Sequence, residues 1–310
     1  MTTPQIMTPQ NFKEMVGTLS ERPPLVPEFK TLAEIPKAES ESFLLYGPSG
    51  AGKTRLLGTC GDRALIVSNG GGISTLKSPK FKELVGSNPI VVEINAADEN
   101  GELDFSKAHD SLCDTIDYAL EKFPEKFDYV CIDDATFMRR AAMHKGLEIG
   151  MATNKSKTKE NILDKYNELV PALQDYGMEM SILDTFFATY TSICKEAKKH
   201  FIVCAHERLS YGKAARIGEP PELTKVAPAF TGVDKNPSGV ALYFDNVWYM
   251  ECLSAEQGMW RIRTVGHDKL IAKTRYDGVF DKTISVPAKG LFMQEVIQKM
   301  KDAEKAIVKK

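Results

Sequence analysis

Residues 47–54 read Gly-Pro-Ser-Gly-Ala-Gly-Lys-Thr, and no other stretch restricts the fold of this chain so strongly. A loop of the form G-x-x-x-x-G-K-[ST] needs a strand to deliver it and a helix to carry it away. Both are at hand: Ser42-Phe43-Leu44-Leu45-Tyr46 is a short apolar run suited to a strand, and Arg55-Leu56-Leu57 continues a helix begun near Lys53. Gly47, Gly50 and Gly52 let the backbone turn where a Cβ would clash, so that successive N–H groups point inward at one anion. The positive end of the following helix adds to the attraction. Lys53 can then reach the β- and γ-phosphates of a nucleotide, and the Thr54 hydroxyl is a ligand for Mg²⁺. Gly47, Pro48, Ser49, Gly50, Ala51, Gly52, Lys53 and Thr54, with Arg55 behind them, are therefore the expected nucleotide cradle. A guanine-reading N-K-x-D motif is absent, which makes ATP the default ligand.

Around this loop the chain alternates short apolar runs with helical patterns. Strands are expected at 42–46, 64–68, 89–94, 128–132 and 200–205, and helices near 53–60, 105–123 and 161–199. Strands alternating with helices imply an α/β fold, a mostly parallel central sheet covered on both faces. Residues 1–40, rich in proline and polar residues, read as an arm or linker, and 41–288 as the nucleotide-binding domain. Residues 206–240, rich in Gly, Pro and Lys, read as one long loop of the kind that is usually functional. Segments 244–252, 258–265 and 269–274 then read as a C-terminal antiparallel hairpin extension. A final amphipathic helix within 289–310 puts Phe292, Val296, Met300, Ala303 and Ile307 on one face.

Composition narrows the setting. The six cysteines show no C-x-x-C spacing, and Cys131 and Cys204 sit in apolar runs as small core residues, which fits a reducing cytoplasm without structural metal. No apolar run reaches the roughly 18 residues of a membrane span, and the N-terminal residues lack a secretory pattern. A net charge of −2 means that any polyanion must be held by a local patch.

The second half of the nucleotide site lies about eighty residues downstream. Asp128-Tyr129-Val130-Cys131-Ile132-Asp133-Asp134 is an apolar strand ending in carboxylates, the Walker B pattern. Its C-terminal end faces the P-loop, so Asp133 can share the Mg²⁺ with Thr54. A helix N-cap is the competing role for these two carboxylates, with Asp134 the better cap. Two strands separate the P-loop helix from this motif, which excludes the kinase and small-GTPase arrangements and fits RecA-like and AAA-type ATPases with an added central strand. His206, after the strand at 200–205, reads either as a γ-phosphate sensor or as an ordinary loop histidine.

Taken with Phe201–Arg208, Pro228–Gly232, Phe244–Trp248 and Ala272-Lys273-Thr274-Arg275, the two Walker motifs resemble a phage-encoded family of RecA-like P-loop ATPases, some of them single-strand annealing or recombination proteins. The resemblance covers roughly 40–285. It implies a RecA-like core with ATP and Mg²⁺ bound at a subunit interface of a ring or filament. In such proteins a K-x-[KR] pair on a late hairpin enters the neighbour's site, a role that falls here on Lys273 and Arg275. The competing reading is a pair of solvated charges on a strand edge.

One position departs from the pattern. RecA-like proteins carry a water-orienting Glu where this chain has Gly70, and Glu93 or Asp134 are the possible substitutes. Of these Asp134 is favoured, because AAA-type proteins keep the base directly after the Walker B Asp. The resemblance also implies two loops that touch single-stranded DNA. One carries Arg139, Arg140, Lys155, Lys157 and Lys159; the other carries Arg208, Tyr211, Lys213 and Arg216. Lysines interspersed with Ser and Thr suit phosphate contact, and cations with aromatics suit stacking, although solvated linkers look the same. The implied function is ATP-dependent work on single-stranded DNA in recombination, annealing or repair, with a single-strand-binding protein as a further partner. Its rivals are an ATP-dependent assembly or loading factor acting on a protein, and a nucleotide switch with little hydrolysis.

Overall fold

The computed structural model describes residues 39–69, 72–94, 104–153, 173–212, 220–229, 239–254, 259–276, 278–286 and 292–308. All of them fall in the unit Glu39–Lys310. In chain order the elements are β1 (Ser42–Gly47), α1 (Lys53–Gly58), β2 (Ala64–Ser68), α2 (Ser74–Lys77), α3 (Pro79–Val85), β3 (Ile90–Glu93), α4 (Phe105–Lys122), β4 (Tyr129–Asp133) and α5 (Ala135–Thr153). Then follow α6 (Leu173–Glu196), β5 (His200–Tyr211), β6 (Leu223–Pro228), β7 (Asn246–Ser254), β8 (Met259–Arg263), β9 (Thr283–Val286) and α7 (Phe292–Val308).

The sheet runs β3-β2-β4-β5-β1-β7-β8-β9. The first six strands pair in parallel, and β8 and β9 continue the sheet antiparallel. Every residue of β1, β2 and β4 is buried. This is why those strands read as unbroken apolar runs rather than as alternating ones. Successive side chains of β1 still divide between the two faces. Leu44 and Tyr46 join a core with Val130, Ile132, Phe187 and Phe201. Phe43 and Leu45 join the opposite core with Leu56, Trp248, Met293 and Val296. Helices therefore cover both faces, as the alternation of elements predicts.

Local sequence explains the helix ends. Asp104 caps α4, its carboxylate accepting from the Lys107 N–H at 3.2 Å. The buried residues Phe105, Ala108, Leu112, Ile116 and Ala119 recur at helical spacing along α4. Ser78 caps α3 with Pro79 at its first position, and Gly86 closes that helix in the left-handed region. Where β5 begins, burial pushes His200 down to about 4, so the neutral ring accepts from the Glu41 N–H at 2.9 Å and stacks on Tyr129. Helix α7 buries Phe292, Val296 and Met300 as expected, together with Met293 and Ile297. Ala303 is half-buried, and the Ile307 side chain lies outside the described residues. The Met293 N–H and the Gln294 amide bind Thr59 and Cys60 just past α1, so this helix packs into the main core.

One expectation is extended and three are corrected. Strand β7 forms the expected antiparallel hairpin with β8, but it also pairs in parallel with β1, so it belongs to the central sheet, and β8 and β9 continue that sheet antiparallel. A fully covered strand and a hairpin strand share the same apolar run, so sequence alone cannot separate them. Segment 269–274 forms isolated bridges rather than a strand, and β9 takes the edge. Residues 206–211 are not loop but the second half of β5, which forms a ribbon with β6. An open ribbon buries neither face strongly, so it leaves little apolar pattern to read. Residues 138–153 are not loop but most of α5, whose buried Met138, Ala141, Ala142 and Leu147 were masked in the sequence by the charges between them.

Candidate nucleotide-binding site

Strand register brings the chemistry together. Gly47 of β1 lies opposite His206 of β5, and Ser68 of β2 opposite Asp133 of β4, so these carboxyl ends form one edge of the parallel sheet. Open α/β sheets bind ligands outside that edge. The P-loop leaves β1 through Gly47, where a Cβ would lie 2.0 Å from the Met250 carbonyl oxygen. It ends at Gly52, which opens α1 in the left-handed region at φ 84°. Beyond it is a cavity of about 460 Å³ whose walls join Ser49, Gly50, Lys53, Thr54 and Arg55 to Asp133, Asp134 and His206.

Lys53 is 7% exposed. Its ammonium donates to the carbonyls of Gly47 at 2.9 Å and Pro48 at 2.8 Å. Burial lowers its pKa, against the pull of Asp134, Asp133 and Glu207. A phosphate would replace those carbonyls and relieve a poorly solvated cation. The Thr54 hydroxyl donates to Asp133 Oδ2 at 2.8 Å. Burial raises the Asp133 pKa, opposed chiefly by that hydrogen bond. One hydroxyl and one carboxylate are the sparse, hard-oxygen set that suits Mg²⁺, which keeps waters and takes substrate phosphate as its other ligands.

The two candidate roles at 133 and 134 are divided between the residues. Asp134 Oδ1 accepts from the N–H groups of Thr136 at 3.0 Å and Phe137 at 3.3 Å, which caps α5. Its Oδ2 lies 3.1 Å from His206 Nε2. The His206 N–H donates in turn to Thr136 Oγ1 at 2.9 Å, so the ring and its backbone are both tied to the start of α5. Lys53, Thr54, Asp133, Asp134 and His206 thus share one cavity. Sequence reasoning missed four of its lining residues, Asn69, Gly72, Thr75 and Trp260. Asn69 bonds the backbone of 133 and 134. Gly72 sits against the Thr54–Asp133 pair, where a Cβ would fall 2.8 Å from Asp133 Oδ2 and 2.9 Å from Thr54 Oγ1. Trp260 arrives from β8. Asn69 and Gly72 flank the glycine run after β2, a signal available in the sequence. Trp260 had no sequence signal at all.

Other expected residues lie elsewhere. Glu93 ends β3 at the far side of the sheet, 58% exposed and 3.7 Å from the Lys77 ammonium, and it does not line the cavity. Lys273 pairs through its backbone with Val247 near the start of β7, and burial lowers its pKa. Arg275 forms an ion pair with the buried Asp245 at 2.5 Å. Both therefore belong to the end of the sheet opposite their own P-loop.

The DNA-loop residues also separate. Arg139 pairs with Glu179, whose side chain is 1% exposed, at 2.6 Å. Arg140 stacks over Phe105 at 4.4 Å. Both sit on α5 rather than on a loop, Arg139 paired to α6 and the exposed Arg140 lying over Phe105 of α4. Arg208 lies on β5 opposite Ala227, and Tyr211 is 56% exposed farther along the ribbon. Lys155, Lys157, Lys159, Lys213 and Arg216 lie outside the described residues. Among the described residues no helix is long and apolar enough to cross a membrane.

No protein-family model and no curated protein sequence matches the chain. Among solved structures it is similar to the crystal structure of the RadB recombinase, with 12% identity over 81% of this chain and 89% of that one and a TM-score of 0.39.

Proposed function

We propose that this protein is a RecA-like ATPase that works on single-stranded DNA in recombination, annealing or repair, in the manner of the phage-encoded family its motifs resemble. One observation carries the nucleotide part of the reading: Lys53, the Thr54–Asp133 pair and the Asp134–His206 pair face a single cavity at the carboxyl edge of the sheet. Lys53 would bind the β- and γ-phosphates, and Thr54 and Asp133 would hold Mg²⁺, which supplies charge neutralisation at the phosphates when bound. Asp134 would orient a water beside the γ-phosphate, with His206, 3.1 Å from its Oδ2, as its positioning partner. Lys273 and Arg275 would complete the site of a neighbouring copy.

The DNA part rests on the course of β5. The strand passes from His206 at the cavity into the β5–β6 ribbon, which exposes Leu209 and Tyr211. Stacking residues on a ribbon tied to a nucleotide site suit a sequence-tolerant single-strand binder. The deciding experiment measures ATP turnover with increasing single-stranded DNA in wild type and Asp134→Asn. DNA-stimulated turnover that the variant loses supports the reading. Turnover indifferent to DNA moves the partner to a protein, as in an assembly or loading factor. A nucleotide switch with little hydrolysis is the second reading. It is favoured by Asp134 already serving α5 through one oxygen and His206 through the other. Tight Mg-ATP binding without turnover would establish it.

A further inference from the structure

The P-loop fixes which way a nucleotide lies. Lys53, Asp133, Asp134 and His206 form the wall for the terminal phosphates. Arg55 follows Thr54 on the first turn of α1, at the other end of the phosphate track. There it meets Trp260, with the guanidinium carbon 4.9 Å from the indole centroid. The indole also lies against the loop itself: a Cβ on Gly52 would be 3.0 Å from both Cδ1 and Nε1 of Trp260. Trp260 Nε1 is buried, and it has no hydrogen-bond partner among the described residues. Cationic Arg55 and the π-face of Trp260 reinforce each other, and they present a flat, polarisable platform at the nucleoside end of the cavity.

We infer that Trp260 and Arg55 form the nucleobase clamp of this site, stacking a purine. The inference rests on the nucleotide-binding reading above and adds the part of the ligand that the P-loop does not address. Trp260 comes from β8, which pairs with β7 and β9. The antiparallel extension thereby becomes part of the nucleotide site, and occupancy of the site bears directly on that sheet edge. Stacking on an aromatic face recognises a ring and ignores phosphate, so the clamp separates nucleotides from bare polyphosphate.

The test compares ADP with inorganic tripolyphosphate by calorimetry in the full-length wild type, Trp260→Ala and Trp260→Phe. Trp260→Ala should weaken ADP binding about ten-fold or more, within the range for loss of one stacked base. It should leave tripolyphosphate within about two-fold of wild type, and Trp260→Phe should keep most of the ADP affinity. Equal losses for both ligands would make Trp260 a support for the P-loop and overturn the clamp, as would no loss at all. Should Trp260→Ala fail to fold, fluorescence decides. The chain's two tryptophans are Trp248, fully buried in the core, and Trp260 in the cavity wall. ADP must quench emission in wild type and not in Trp260→Phe; quenching that persists in the variant overturns the clamp. If wild type binds neither probe, the nucleotide-binding reading itself falls and the clamp with it.

Discussion

A single methyl group at position 72 has nowhere to go. It would stand 2.8 Å from Asp133 Oδ2 and 2.9 Å from Thr54 Oγ1, closer than real Cβ contacts come to polar atoms. Those are the two oxygens that would face Mg²⁺, so Gly72→Ala should cost metal-dependent affinity while leaving Lys53 and the loop glycines in place. The expected outcome is a loss of at least ten-fold, or about 1.4 kcal/mol, in ADP affinity with Mg²⁺. Affinity in EDTA should be nearly unchanged, and calorimetry in the two buffers checks this. Gly72 also shows where residue-level reading stopped. The P-loop was legible because each of its residues meets a local demand, such as a left-handed turn at Gly52 or an ammonium at Lys53. Asp133 and Asp134 were legible as a pair, with Asp134 the better cap, although both roles stayed open to either carboxylate in sequence. The hydrogen bond from Thr54 and the cap on α5 are what tell them apart. Trp260 acts through neighbours far along the chain, and nothing within a few residues of it announces the contact; at Gly72 the glycine run after β2 was the one local signal.

At the level of elements, α5 is held from two sides. Arg139 reaches Glu179 of α6 at 2.6 Å, and Lys145 reaches Asp110 of α4 at 2.7 Å. Burial raises the Glu179 pKa even with Arg139 beside it, so the arginine is what makes an enclosed carboxylate tolerable. Arg139→Ala should therefore destabilise the fold by about 2–3 kcal/mol, below the usual cost of breaking a fully buried pair because Arg139 is 35% exposed. Adding Glu179→Gln should recover part of the loss, read by urea denaturation. A DNA contact would behave differently, with unchanged stability and a salt slope of DNA affinity reduced by about 1. The same helix shows why parts of the fold were hidden. Strands buried on both faces announce themselves by composition, and β1, β2, β4 and the first half of β5 were found close to their true bounds. Helix α5 mixes buried Met138, Ala141 and Ala142 with arginines whose partners lie on other helices, and those partners cannot be read from spacing. The β5–β6 ribbon and the parallel pairing of β7 depend on which strand lies next door, which is a property of the sheet and not of the segment.

Across the whole molecule, the nucleotide cavity and the Lys273–Arg275 pair occupy opposite ends of the sheet. Strand β1 alone separates Ser42, whose N–H and hydroxyl bind Asp245 beside Arg275, from Gly47 at the P-loop. Six strand residues span roughly 16 Å, well beyond the reach of an arginine side chain around the strand ends. If Arg275 serves an ATP site, that site belongs to another copy, and the contact is head-to-tail. A head-to-tail contact closes into a ring or continues as a filament. Arg275 would first have to leave Asp245, a buried carboxylate that keeps the Ser42 N–H and hydroxyl as partners when the arginine departs. This geometry makes a mixing experiment decisive. Lys53→Ala removes the P-loop cation and Arg275→Ala removes the supplied one, so each variant alone should be nearly inactive. Mixed in equal amounts, they place an intact P-loop opposite an intact Arg275 in about one site in four, because each half is sound in half of the subunits of a heterologous assembly. The expected outcome is recovery of about a quarter of wild-type ATPase activity on mixing. Arg275→Ala that is active alone would leave the arginine as a clamp for Asp245. Two inactive variants that stay inactive together would place both defects within one subunit, against the distance that separates them.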